Sequence, residues 1–113
     1  MLMSVAETPE YLRRAERLLS AGARVEIVNS LASRPTAGDL IRGTGGVRKL
    51  RWGRGESGKR GGVRVIYYYH SESMPLYLLA VFAKNEKADL SQSERADLAK
   101  LVAVLKAVSR RSG

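Results

Sequence analysis

This chain of 113 residues predicts a small α+β domain, with a helical hairpin at one end, one helix at the other and an antiparallel sheet between them. Three observations carry that prediction. Three runs rich in β-branched, aromatic and aliphatic residues, Val47 to Trp52, Val63 to Tyr69 and Leu76 to Phe82, follow one another across turn-forming segments, as strands of a meander do. Helix-start signals stand at Thr8-Pro9-Glu10 and at Ser91-x-x-Glu94, each ahead of apolar residues at helical spacing. Basic residues gather on the middle of the chain, where Arg42, Arg48, Lys49, Arg51, Arg54, Lys59, Arg60 and Arg64 face a single acid, Glu56.

The length suits one core, so residues 1–113 read as one domain, with 1–6 and 109–113 frayed. Thr8 is a capping hydroxyl, Pro9 takes the first helical position, and Glu10 faces the positive end of the helix dipole. Leu12, Ala15 and Leu19, flanked by Tyr11 and Leu18, form the stripe for a core, and Gly22 is the expected stop. A second helix is expected from about Arg24 to Ser33, with Val25, Val28, Leu31 and Ala32 inward and Pro35 ending it.

Thr36 to Gly46 is a connector full of turn residues. In the strand after it, Leu50 and Trp52 project from one face and Lys49 and Arg51 from the other. Gly53 to Gly62 holds five glycines together with Arg54, Lys59 and Arg60, a basic hairpin loop. The next strand mounts Arg64 between two valines in the middle of the meander. Leu76 to Phe82 is apolar at every position, which predicts burial on both faces. Leu98, Leu101, Val102, Leu105 and Val108 then give the closing helix its stripe.

Composition removes several classes of function. There is no cysteine and one histidine, His70, so thiolate metal sites and disulfides are excluded and no cofactor is implied. The start lacks the basic and apolar regions of a signal peptide, and no apolar run has membrane-spanning length, which gives the expectation of a cytoplasmic protein without membrane contact. Twenty basic residues against 11 acids leave a net charge of +9, and the partner that suits such a surface is a polyanion.

Gly53 to Arg60 nearly matches the phosphate-cradling G-x-x-x-x-G-K-[ST], but Arg60 stands where a hydroxyl is needed and the loop leads into a strand when the mechanism requires a helix. A loop touching phosphate backbone, or a plain solvated turn, fits better. His70, without a second histidine, reads as a surface or hydrogen-bonded side chain. Tyr67, Tyr68 and Tyr69 must divide between two faces, leaving Tyr68 as a candidate for stacking on a base. Lys49, Arg51, Arg64 and Lys84 all lie on or at the end of one sheet; a solvated polar face is the plain reading of this set. Four cations sharing a sheet repel one another, however, and a phosphodiester would relieve that repulsion.

Three ordered blocks, Gly43 to Trp52, Gly58 to Tyr69 and Phe82 to Leu90, resemble the RelE/HigB-like toxins of bacterial type II toxin–antitoxin modules, most nearly the HigB-type branch. The likeness runs from about Glu7 through nearly the whole chain. It implies the RelE-like fold, an N-terminal helical hairpin on a small curved antiparallel sheet of three to four strands with a C-terminal helix, the fourth strand being an edge strand within Leu2 to Ala6. It also implies a ribosome-dependent mRNA endonuclease that enters the decoding site. The partners that follow are mRNA, the ribosome and a cognate antitoxin, of helix-turn-helix HigA type in that branch, with operator DNA reached only through the antitoxin.

By position, the resemblance makes Arg64 the arginine that stabilises charge on the scissile phosphate, Lys49 and Arg51 the paired basic residues of the preceding strand, and Lys84 a residue facing the same cleft. Arg48, Arg54, Lys59, Arg60, Tyr68 and Lys87 complete the expected RNA contacts. Asn85 departs from the RelE pattern, which has arginine there, and no C-terminal tyrosine follows Tyr77. Cleavage beside a ribose requires the 2′-hydroxyl to lose a proton, the phosphate to be stabilised, and the 5′-oxygen to gain a proton. Arginine suits only the second task. A lysine crowded by Arg51 and Arg64, either Lys49 or Lys84, is expected to serve as base without a metal, with Glu86 as runner-up. The competing reading is a non-catalytic module that binds RNA or the ribosome with the same fold, and what separates the two is the completeness of the proton-transfer set.

Overall fold

The computed structural model describes residues 3–53, 62–87 and 89–112. They form β1 (Val5–Glu7), α1 (Pro9–Leu18), α2 (Ala21–Ser33), β2 (Asp39–Leu40), β3 (Val47–Trp52), β4 (Val63–Tyr68), β5 (Leu76–Ala83) and α3 (Gln92–Ser112). The strands make one sheet in the order β1-β5-β4-β3-β2, with the arginine-bearing β4 at its centre. Neighbours from β2 to β5 are antiparallel and β1 joins β5 in parallel, so the expected antiparallel sheet of three to four strands is a mixed sheet of five. The strand that sequence did not anticipate is β2, two residues of the turn-rich connector that pair with Arg48 and Lys49.

Thr8 anchors the start of α1 twice. Its hydroxyl accepts from Tyr11 N at 3.3 Å, and it donates to Leu78 O of β5 at 2.8 Å. The cap therefore fixes helix to sheet as well as starting the helix. The helix ends at Leu18, before Gly22, because Leu19 is extended and Ser20 then caps α2 by accepting from Ala23 N at 3.1 Å. Gly22 consequently lies in the first turn of α2, and the helix begins three residues before the expected Arg24. The inward side shifts with it: Ile27 and Leu31 are buried, and Val25, expected inward, is 58% exposed.

Six of the eight residues of β5 are buried, as its unbroken apolar character predicts. Tyr11, Ala15, Leu19, Ile27 and Leu31 of the helical hairpin cover Val63, Val65 and Tyr67 on one sheet face. Leu98, Val102 and Leu105 of α3 cover Val47, Ile66, Tyr68 and Phe82 on the other. The capping box closes as expected, with Glu94 N donating to Ser91 Oγ at 3.1 Å and Ser91 N to Glu94 Oε1 at 2.8 Å. Leu101 and Val108 lie at the margin of the stripe and are exposed, and the helix continues to Ser112 through residues expected to fray.

Before β3 the chain turns through Gly43, Gly45 and Gly46, all at positive φ, a region that disfavours other residues. Buried Thr44 holds this turn by donating to Ile41 O at 2.7 Å and accepting from Val47 N at 3.0 Å.

Candidate nucleic-acid interface

Strand pairing brings the two central arginines together. In the register of β3 on β4, Val47 lies opposite Tyr68, Lys49 opposite Ile66, and Arg51 opposite Arg64. Side chains alternate, so Lys49, Arg51 and Arg64 share the face that carries α3. At one end of this face Val47 and Tyr68 are core; at the other Arg51 is exposed and Arg64 half-buried. Like charges directly opposite one another destabilise an antiparallel pair. The ion pairs among the described residues involve neither arginine, and the side-chain bond of Arg64, to Val63 O, is long at 3.4 Å. The backbone thus holds two arginines directly opposite each other, neither in an ion pair among the described residues, an arrangement that an anion would relieve.

Next to this pair lies an open groove of about 480 Å³, lined by the cations Arg42, Lys49, Arg51 and Arg95 and the acids Asp39 and Asp89. Asp89, in the connection from β5 to α3, bridges two walls of it. Lys49 Nζ donates to its Oδ1 at 3.4 Å, Arg95 Nη2 to its Oδ2 at 3.1 Å, and Leu90 N to Oδ1 at 2.8 Å. The backbone bond from Leu90, with Lys49 and Arg95 adding to it, holds the Asp89 carboxyl below the usual aspartate range. Lys49, expected to be crowded by Arg51 and Arg64, has an acid as its ion-pair partner.

Lys84 stands at the end of β5, where its backbone N donates to Gly62 O at 2.9 Å, beside the start of the arginine strand. Its side chain is exposed and outside the ion pairs among the described residues. Glu86, the runner-up base, is committed elsewhere. It accepts from Ala83 N at 3.0 Å and from Arg17 at 3.2 Å, and the backbone bond first, then Arg17, keep its carboxyl below the ordinary glutamate range. A base wants the opposite shift. Lys87 pairs with Glu94 and lies over the Phe82 ring at 5.0 Å from its centre, so its charge is already engaged.

Two of the expected RNA contacts lie outside the lining of this groove. Arg48 lies on the opposite sheet face, with Leu50 and Trp52, and donates to Gly38 O at 2.7 Å and Thr36 O at 3.3 Å, tying down the connector. Tyr68 is 1% exposed in the core under α3, so its ring is closed to a base. Tyr67 is equally buried, with its hydroxyl donating to Pro35 O and accepting from Gly38 N, both at 2.8 Å. His70 stacks on Tyr68, ring centres 6.2 Å apart. Arg54, Lys59 and Arg60, and the loop that carries them, lie outside the described residues.

Sequence reasoning missed Asp89 and Arg95 as groove residues. Both flank the capping box that starts α3, a legible signal, but their meeting with Lys49 depends on how α3 returns across the sheet. Among the described residues no three His, Cys, Asp or Glu side chains gather as a metal site would require, and no helix is long and apolar enough to cross a membrane.

The architecture matches that of a double arginine-to-alanine mutant of the E. coli toxin RelE in the free state. The TM-score is 0.60 at 15% sequence identity, over 86% of this chain and 97% of that one, a likeness of fold. The family model described as the RelE toxin of the RelE/RelB toxin–antitoxin system matches residues 13–112, which takes in every strand from β2 to β5 and all of α3. This chain belongs to the RelE toxin family of toxin–antitoxin systems.

Proposed function

We propose that this toxin is a ribosome-dependent mRNA interferase of the HigB-type branch, cutting translated messages without a metal and silenced by a cognate antitoxin of helix-turn-helix HigA type. The observation that carries the reading is the Arg51–Arg64 pair, two arginines set opposite each other in the sheet and outside the ion pairs among the described residues, beside a basic groove. In-line attack of a 2′-hydroxyl on its own phosphate adds negative charge to the phosphoryl oxygens. Two guanidinium groups already in place stabilise that charge with no reorganisation, which suits transition-state stabilisation.

Of the two candidate lysines, Lys49 is held by Asp89, which leaves Lys84, exposed at the end of β5 and outside the ion pairs among the described residues, as the proposed base for the 2′-hydroxyl proton. The 5′-oxygen must receive a proton on the other side of the phosphate. Glu86 is committed to Ala83 N and Arg17 and takes no part. Family membership and the basic groove support translated mRNA as substrate, action in the decoding site and a cytoplasmic setting.

The test is primer-extension mapping of a reporter mRNA in a translation extract, with ribosomes engaged on the message or blocked at initiation. Cuts inside the reading frame that vanish when initiation is blocked are expected. A folded protein that binds ribosomes and cuts under neither condition would replace this reading with the non-catalytic binding module.

A further inference from the structure

We propose that Lys49 and Arg95 form a phosphate subsite next to the arginine pair, and that the Asp89 carboxylate occupies it in the free protein as an internal stand-in which RNA displaces. The proposal rests on the reading of this groove as an RNA site and adds a residue of α3 to it.

Geometry comes first. The two oxygens of Asp89 are taken by cations from two different elements, Oδ1 by Lys49 of β3 at 3.4 Å and Oδ2 by Arg95 of α3 at 3.1 Å. The two non-bridging oxygens of a phosphodiester can take the same positions. Lys49 and Arg51 are alternate residues on one face of β3, about 6.6 Å apart along the strand. That step is of the same order as the separation of neighbouring phosphates in a nucleic-acid backbone. One phosphate between Arg51 and Arg64 therefore leaves its neighbour within reach of Lys49 and Arg95.

Charge and mobility agree with this. Among the described residues four cations line the groove against two acids, a surplus of positive charge even with Asp89 in place. The Asp89 side chain is 46% exposed and sits in the irregular connection before α3, outside any strand ladder. Ion pairs this exposed contribute little, so exchange of carboxylate for phosphate is cheap. The bond from Leu90 N at 2.8 Å meanwhile keeps the carboxylate beside the groove. Asp89 then acts as a tethered competitor. It turns away loose anions that can reach only Lys49 and Arg95, and yields to a chain whose phosphates engage Arg51 and Arg64 as well.

The experiment measures binding of the full chain to a single-stranded oligoribonucleotide carrying 2′-O-methyl groups, which cannot be cleaved, by fluorescence anisotropy across a range of salt. Asp89→Asn keeps the shape and the acceptor for Leu90 N while removing the charge. It should tighten binding by about three- to tenfold at low salt. It should also steepen the salt dependence by about 0.7 in log–log slope, the value for one more phosphate neutralised on a single strand. In an Arg95→Gln background most of that gain should disappear. Unchanged or weaker binding by a folded Asp89→Asn protein overturns the proposal and leaves Asp89 as a strut. If Asp89→Asn does not fold, Lys49→Gln and Arg95→Gln decide: each should weaken binding, and unchanged affinity in both overturns the subsite. Arg51→Gln on the same probe separates the two levels. If it too leaves binding unchanged, the RNA groove itself is wrong; if it weakens binding while Asp89→Asn does nothing, only the stand-in is.

Discussion

Replacing Arg64 by methionine should make the protein more stable and inactive at once. Methionine keeps the unbranched apolar stem that a half-buried arginine packs with, so the charge is the main loss. Arg64 lies directly opposite Arg51, and in antiparallel sheets such residues have Cα atoms about 4.5–5.5 Å apart. A like-charged pair at that spacing costs on the order of 0.5 kcal/mol, and no ion pair among the described residues offsets it. For a chain of this size that corresponds to a rise of about 2 °C in Tm. Arg51→Met should give a similar rise, and the double variant should add little beyond either single one, because the repulsion disappears with the first replacement. Cleavage should fall about 10²- to 10³-fold, the scale for removing one group that stabilises transition-state charge. The assays are thermal unfolding of the four proteins in the cycle and primer extension with each in a translation extract. A fall of several degrees in Arg64→Met, or additive effects in the double variant, would refute the picture of an unneutralised pair. Full cleavage by Arg64→Met would refute its role.

Other outcomes follow from the local structure. Gly38→Ala should lower stability by about 2 kcal/mol in urea, since a Cβ there would sit 2.8 Å from Tyr67 Cε1 and 2.9 Å from Lys49 O. Gly22→Ala is its counterpart: the site is open and helical, so a gain of about 0.5–1 kcal/mol is expected in the same titration. Ser91→Ala removes the acceptor for Glu94 N and should cost about 1 kcal/mol. The carboxyls of Glu10, Asp89 and Glu94 are held below their ordinary range, the first and last chiefly by side-chain bonds from Arg14 and Lys87 and Asp89 chiefly by the backbone of Leu90. Their contribution is present above the unfolded carboxyl range, about pH 4, and lost as pH falls through the lowered values; Tm should therefore drop below that pH, and less so in Glu94→Gln.

The elements that were legible in sequence carry their determinants locally. Thr8, Pro9 and Glu10 start a helix by themselves, Ser91 and Glu94 close a capping box within four residues, and an unbroken apolar run such as Leu76 to Phe82 can only be buried on both faces. Lys49, Arg51 and Arg64 were legible as one set because strand alternation fixes their face. Long-range geometry was not. Whether Arg48 binds a partner or the carbonyls of Thr36 and Gly38 depends on where the connector folds back, and Tyr68 is a core residue because α3 crosses over it. The helix break at Leu19 was missed for a different reason: Ser20 is as good a cap as Gly22 is a stop, and the cap prevailed.

The bonds of Thr8 to β5 span 70 residues of sequence, and β1 pairs with the same strand. Contacts so distant require closing a long loop before they return any stabilisation, which places them late in folding. The helical hairpin meets the same wait, since Tyr11, Ala15 and Ile27 have no apolar surface to cover until Val65, Leu78 and Val81 exist as a sheet. The meander that mounts Arg51 against Arg64 supplies that surface. Assembly of the groove and support of the fold are thus one cooperative event, and a chain interrupted before Leu76 has neither.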